Sequence, residues 1–432
     1  MMPGGFMMGA HSRLLPLPVP MRFFAAAMVF HPLAWAMLLA GADAVPGFRG
    51  GLGPVLAGLH LVTLGVLAMI AIGAAFQLLP VAIQRPLGPT WACGLAWWLY
   101  VPGVALLCAG LATGWVPALH GGAGLSVAGL LLAGLLIARC LIGATGFPGI
   151  RHHAWLALAS LLGLAVLGLL LAVDFRTGWL PDHTAFAAAH AVLAGYGFMG
   201  NLAMGFTYVL VPMFVLGPAI PDAVGKRTGL LAALALALAV CGALAGLGWL
   251  AAAGGAVGLG AVGLHFAALR TALAARMRKR LESFFRLLFP AWVLLPVGLA
   301  VGIALALGAE PAITAPLWGF LMVFGWLLTF ATGILQRVMP FLVSMHTSAR
   351  GGKPALVSQL TADRPLLLHA VLHGVALLLV ALGIIIQSVP MVRAGAAGGL
   401  AGALALLAFA VELGCRTRAH LQDNPPFSQG HT

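Results

Sequence analysis

Three stretches decide the fold: HLVTLGVLAMIAIGAAFQLLPV at 60–81, VLAGYGFMGNLAMGFTYVLVPM at 192–213 and FLMVFGWLLTFATGILQRVMPF at 320–341. Aligned without gaps, they place Gly65, Gly73 and Pro80 over Gly197, Gly205 and Pro212, and these over Gly325, Gly333 and Pro340. Phe76, Tyr208 and Gln336 stand four residues before the prolines. Two glycines eight residues apart lie about 80° apart around a helix, so each stretch carries one small-residue stripe against a neighbour. The proline breaks the hydrogen-bond ladder near one end, where a kink is tolerable. The offsets, 132 and then 128 residues, each hold about four apolar runs, and the chain reads as three successive four-helix units at about 21–145, 146–275 and 276–416.

Outward from these stretches the composition is uniform. Of 432 residues, 62% are hydrophobic and 7% charged, too few charges to solvate a surface of this size. The apolar runs are continuous rather than alternating, so helices and not barrel strands are the spanning element. We expect an all-α integral membrane domain over 21–416. Its twelve transmembrane helices fall at 21–42, 55–83, 91–112, 122–143, 154–173, 186–215, 228–248, 250–271, 286–307, 315–343, 366–388 and 392–413. With the N-terminus inside, 19 of the 22 Lys and Arg are cytoplasmic, and only Arg49, Arg176 and Arg393 are outside. The net charge of +13 is therefore a topology signal rather than a nucleic-acid surface. The cluster Arg276, Arg278, Lys279, Arg280 and Arg286 also suits anionic lipid headgroups.

The five cysteines, Cys93, Cys108, Cys140, Cys241 and Cys415, form no C-x-x-C pair, which argues against a disulfide framework or an iron–sulfur site. The small residues closing the first span resemble a leader cleavage site. Cleavage is rejected because a twenty-residue leader precedes that span and its removal would invert the charge parity. Residues 1–20 and 417–432 read as short, poorly ordered cytoplasmic tails. No nucleophile elbow, P-loop or dinucleotide glycine motif occurs in a strand–turn–helix context.

Ionisable residues inside a membrane are functional suspects. Acids are almost absent from the spans: Asp43, Asp174, Asp182 and Glu310 map to outer ends, and Glu412 to an inner one. This argues against a carboxylate proton relay. Histidines remain. His60 in the second span and His190 in the sixth lie about one turn below the outer surface, and Met322 in the tenth shares that depth beside Trp318. Imidazole and thioether suit haem iron or copper; the other reading makes each histidine interhelical polar glue. His369 and His373, at i, i+4, share one face of the eleventh span as metal ligands or as packing, without the Glu between them that zincin chemistry needs. His31, followed by Pro32, is expected to bond backbone groups that the proline frees, His152 and His153 to lie at the cytoplasmic interface, and His183 in an outer loop.

Twelve spans in three four-helix units, with the second helix of each unit lining a centre and carrying histidines near the outer side, resemble subunit I of the haem–copper oxidase superfamily. The stretches HLVTLGVLAMIAIGAAFQLLPV and AAAHAVLAGYGFMGNLAMGFTYVLVPMF look like a divergent bacterial oxidase-like branch, akin to the nitric-oxide-response haem–copper membrane proteins. The resemblance implies that His60 matches a low-spin haem ligand and that His190 falls on the helix that supplies a copper ligand. It also implies a bacterial inner membrane and partners such as cytochrome c or respiratory subunits. The family's tenth-span histidine pair is missing, with Trp318 and Phe320 in its place, no adjacent histidine pair occurs in the seventh span, and Val192 aligns with His60. A complete oxygen-reducing dinuclear centre is thus not expected. What remains is a b-type haem site on His60 with His190 or Met322, serving electron transfer or binding of a gas such as nitric oxide. The alternatives are a copper-handling protein using His60, His190 and Met322, and a metal-free scaffold subunit of a respiratory complex.

Overall fold

The computed structural model describes residues 14–349 and 353–424. Among them, twelve helices are long and apolar enough to cross a membrane: α1 (Pro18–Ala40), α2 (Pro54–Ile83), α3 (Thr90–Thr113), α4 (Val116–Leu141), α5 (Gly149–Thr177), α6 (His183–Val215), α7 (Asp222–Leu244), α8 (Gly248–Ala274), α9 (Phe285–Ala306), α10 (Pro311–Ser348), α11 (Asp363–Ile385) and α12 (Val389–Asp423). No strand occurs among the described residues. The chain is a multi-pass membrane protein, and its exposed apolar side chains, such as Leu135, Leu162, Leu230, Trp249, Val293 and Leu378, are the surface that lipid covers. Helix starts follow ordinary chemistry. Pro54 and Pro311 occupy first-turn positions, where a missing N–H costs nothing. The Asp182 carboxylate accepts the Ala185 N–H at 3.0 Å to open α6.

Three helices form the centre. The apolar windows of α2, α6 and α10 are 72%, 78% and 83% buried, against 22–50% for the other nine. Their matched glycines set how closely the centre packs. Gly65 and Gly73 lie under Phe30 and Phe24 of α1, Gly197 and Gly205 under Ser160 and His153 of α5, and Gly325 and Gly333 under Leu294 and Leu288 of α9. A second set of glycines closes the outer hairpins. A Cβ at Gly122 would overlap the Leu107 backbone in the α3–α4 pair, one at Gly242 the Ala251 backbone in α7–α8, and one at Gly395 would meet Val380 at 2.7 Å in α11–α12. Small residues let backbones approach where no hydrophobic drive separates helix from lipid.

Each central helix contains an eight-residue π-helical segment: Leu61–Ala68 in α2, Leu193–Gly200 in α6 and Leu321–Leu328 in α10. The three segments touch one another and share the offsets of the matched glycines and prolines. Shifting from i→i−4 to i→i−5 bonding strands carbonyls, which inside a membrane must find donors. The carbonyl at the fourth residue of each segment has a side-chain donor: Tyr100 Oη to Leu64 O at 3.0 Å, Asn201 Nδ2 to Tyr196 O at 3.1 Å, and Thr329 Oγ1 to Phe324 O at 2.9 Å. The i→i−5 habit has no local sequence signature, and it was not expected.

Both ends of the described chain lie at one end of the bundle, here the terminal end, where His346 Nε2 contacts Leu15 O at 2.8 Å and His420 Nε2 contacts Lys353 O at 2.9 Å. Arg337 reaches Glu282 there at 3.0 Å and lies over the Phe214 ring. At the opposite, distal end Arg393 ties the start of α12 to Asp43 at 2.8 Å. The expected tails fall largely on residues 1–13 and 425–432, outside the described residues. Between them, α12 continues past residue 417 to Asp423. Arg416 holds it by bonding Glu412, Gln359 O and Thr361 O, which lets a polar extension stay helical beyond the apolar run.

Tyr100→Phe removes the donor to Leu64 O and leaves a stranded carbonyl in an apolar centre. Interhelical hydrogen bonds in membranes contribute about 0.6 kcal/mol and at most about 1.7, so the variant should unfold earlier by that amount in a reversible detergent titration, with its spectrum unchanged. Wild-type stability would remove the carbonyl's need for this donor.

Candidate functional site

The three central helices divide the interior into three seams. Between α2 and α6, closed by α3, α4, α5 and α10, lies a cavity of about 280 Å³. Its walls are almost wholly apolar, and they bring together His60, His190 and Met322. A single water needs about 10–15 Å³ of such space, so this chamber is far larger than a lone ion and its water would fill. His60 Nδ1 donates to Leu56 O at 3.0 Å, within its own helix, and His190 Nδ1 to Leu164 O of α5 at 2.9 Å. Those partners fix the tautomers: each Nδ1 carries the proton, and each Nε2 keeps a lone pair with no hydrogen bond among the described residues. Both rings line this one cavity. Met322 packs over Gly195, where a Cβ would overlap its sulfur, and Gly168 leaves room for His190, whose Cε1 a Cβ would meet at 3.1 Å.

Arg49, Gly50, Gly51, His183 and Thr184 form the distal mouth of this cavity. Gly50 and Gly51 have φ of +114° and +103°, a conformation that L side chains rarely adopt. His183, expected in an outer loop, is the first residue of α6 and holds Asp174 at 2.7 Å, and Asp174 also accepts the Leu180 N–H at 2.7 Å.

The seam between α6 and α10, walled by α7, α8 and α9, contains a larger cavity of about 360 Å³ with no histidine. Val192 and Trp318, which match His60 and His190, line it. Trp318 Nε1 donates to Tyr196 Oη at 3.2 Å, and Tyr196 stacks on Trp326 with 5.6 Å between ring centroids. Mostly Ala and Gly on α7 and α8 leave this space.

The third seam, between α10 and α2 behind α1, α11 and α12, is packed. His31, Trp35, Phe324, His369 and His373 fill it, all buried. The structure thus brings His60, His190 and Met322 to one chamber and places His369 and His373 in another seam. Among the described residues no group of three or more His, Cys, Asp or Glu is arranged to hold a metal ion. His31 does not serve the backbone freed by Pro32; its Nε2 accepts from Trp35 Nε1 at 3.2 Å.

His153 lies in the core rather than at an interface. Its Nδ1 bonds Asn201 Oδ1 at 2.8 Å and its Nε2 bonds Thr228 Oγ1 at 3.0 Å, while Tyr208 Oη contacts the same Thr228 at 2.8 Å. Arg151, two residues before it in sequence, disguises that depth. His265, tilted against Tyr208 with 5.1 Å between ring centroids, lies inside an expected span and was missed; His120, bonded to Ala172 O at 3.1 Å, lies just outside the expected fourth span.

Gly195→Ala drives a methyl into the Met322 sulfur and should cost about 1–3 kcal/mol through overpacking. Gly124→Ala, with nothing within 4 Å of the new Cβ, should be neutral or gain up to about 1 kcal/mol from helix propensity. Thermal unfolding of both variants in one detergent checks the contrast, and equal stabilities would show that the chamber is not packed against Met322. No protein-family model matches the chain, and a search of curated proteins returns no match.

Proposed function

We propose that the chain is an oxidase-like haem protein of a bacterial inner membrane, built as three successive four-helix units with both termini cytoplasmic. It relays electrons, or binds a diatomic gas such as nitric oxide, without a complete oxygen-reducing centre. The observation that carries this reading is the pair of imidazoles on one apolar chamber, each with Nδ1–H anchored to a carbonyl and Nε2 unclaimed. That anchoring is the arrangement by which proteins orient a metal-ligating histidine and raise its basicity. The chamber's size favours a macrocycle over a bare ion. Arg49 at the mouth offers a cation to a carboxylate carried by the bound group.

Haem b, when bound, supplies an iron centre that takes up one electron reversibly and whose potential its axial ligands and burial tune. The chain's own residues do the rest. His60 and His190 would hold the group, the apolar walls would exclude water from it, and Arg49 would offer its charge to an acidic substituent. Both imidazoles bound suit electron relay from a donor such as cytochrome c or a respiratory subunit. One imidazole bound suits gas binding. The three π segments at matched positions and the matched glycine contacts support the three-unit architecture.

Purified protein, or protein reconstituted with haem, should show a Soret band that shifts on dithionite reduction. Loss of an outer partner of a metal-bound histidine already costs about 10–100-fold in metal affinity, so His60→Ala and His190→Ala should each weaken haem retention at least tenfold. No Soret band in either preparation would overturn the reading. Met322 favours a second reading, because its thioether beside two imidazoles is a soft donor set for copper(I). Copper found by elemental analysis in haem-free protein, and lost in Met322→Leu, would select it.

A further inference from the structure

The packed seam contains a set of ring nitrogens that the proposed haem site does not use. His31 on α1 and His369 and His373 on α11 are fully or almost fully buried, and one nitrogen of each has no protein partner: His31 Nδ1, His369 Nε2 and His373 Nδ1. The rings adjoin. The His31 and His369 centroids are 5.8 Å apart, edge to face, and those of His369 and His373 are 5.4 Å apart, stacked. No direct hydrogen bond joins them.

The satisfied nitrogens assign the tautomers. Trp35 Nε1–H takes the lone pair of His31 Nε2, so the free Nδ1 of His31 carries a proton. His369 Nδ1 donates to Gly402 O at 3.0 Å, so its free Nε2 is a lone pair. Thr329 Oγ1–H is committed to Phe324 O, so Thr329 accepts from His373 Nε2–H at 2.8 Å and the free Nδ1 of His373 is a lone pair. The seam therefore holds one donor and two acceptors without protein partners on three adjoining rings.

We infer that this seam is a binding site for one water molecule, which accepts from His31 Nδ1–H and donates to His369 Nε2 and His373 Nδ1. Three hydrogen bonds are the usual complement of a buried water, and unpartnered buried polar groups are where such waters reside. The donor set selects water over a cation. A metal ion would need three lone pairs, whereas Trp35 forces a proton onto the nitrogen that His31 offers. The water bridges the first helix of the chain to the last hairpin, and it closes the ring of helices where direct contacts leave polar atoms open. The site is independent of whether the other chamber holds haem.

Two measurements on the full-length protein in lipid nanodiscs test this. A density map fine enough to show ordered water should place one peak within hydrogen-bonding distance of the three nitrogens. Nitrogen-15 spectra of labelled histidine should show His31 and His369 protonated at Nδ1, His373 protonated at Nε2, and exchange of the His31 ring proton with solvent water. Trp35→Phe should release His31 to populate the Nε2–H tautomer. A dry seam, a His31 held in the Nε2–H form in the wild type, or copper or zinc retained by wild type and lost in His369→Phe would each overturn the proposal.

Discussion

A carbonyl oxygen in the middle of a membrane protein has no water to turn to, and three such oxygens organise this structure. The π segments of α2, α6 and α10 strand Leu64 O, Tyr196 O and Phe324 O where the central helices meet, and each must be met by a side chain. Each answer recruits a different neighbourhood. Tyr100 reaches across from α3 and binds that helix to the centre. Asn201 answers from within α6, and its carbonyl oxygen is then free to take His153, which brings Thr228 and Tyr208 into one buried network. Thr329 answers from within α10, and its oxygen in turn orders His373. The polar residues of the core are thus consequences of backbone accounting before they are candidates for chemistry.

The same geometry explains why the three seams differ. The glycines at 65, 197 and 325 occupy the fifth residue of each π segment and press each central helix against the helix that precedes it. Flanking positions then decide what each seam contains. At the first seam these are His60 and His190, whose rings leave a chamber between them. At the second they are Val192 and Trp318; the indole finds a hydrogen bond on Tyr196, and small residues on α7 and α8 leave a larger apolar cavity. The third has Phe320 and Gly58, and Trp35 and Phe324 fill the space around the histidines.

Hydropathy and charge asymmetry made the twelve helices legible, since a run of apolar residues has no alternative in lipid. The recurring glycines and prolines marked the central three for the same reason: close packing restricts residue choice. Boundaries were less visible. α4 starts at Val116, not 122, because its second turn carries His120 and glycines that lower hydropathy without ending a helix. The π segments left no trace, because i→i−5 bonding asks for no particular side chain. At the candidate site, shared depth singled out His60, His190 and Met322. Depth also set them apart from His369 and His373, which the sequence places toward the cytoplasmic third of the eleventh span and which lie outside the first chamber. Burial of His153 was hidden because it sits two residues from Arg151 in sequence, and only the fold turns it inward.

Electrostatics at the mouth bears on what the first chamber admits. Asp174, bonded to His183 at the mouth, also accepts from the Leu180 N–H, so its charge is largely engaged. Among the described residues Arg49 is the only lysine or arginine lining the chamber, and it is exposed. A ligand with an acidic edge and an apolar body gains from that cation on entry and from the walls once inside. A hydrated copper ion meets like charge at the mouth and then loses its water to walls that offer few polar atoms. The two imidazoles and Met322 would have to repay both costs for a bare ion, whereas they need only complete the coordination of an iron already carried in an apolar ring.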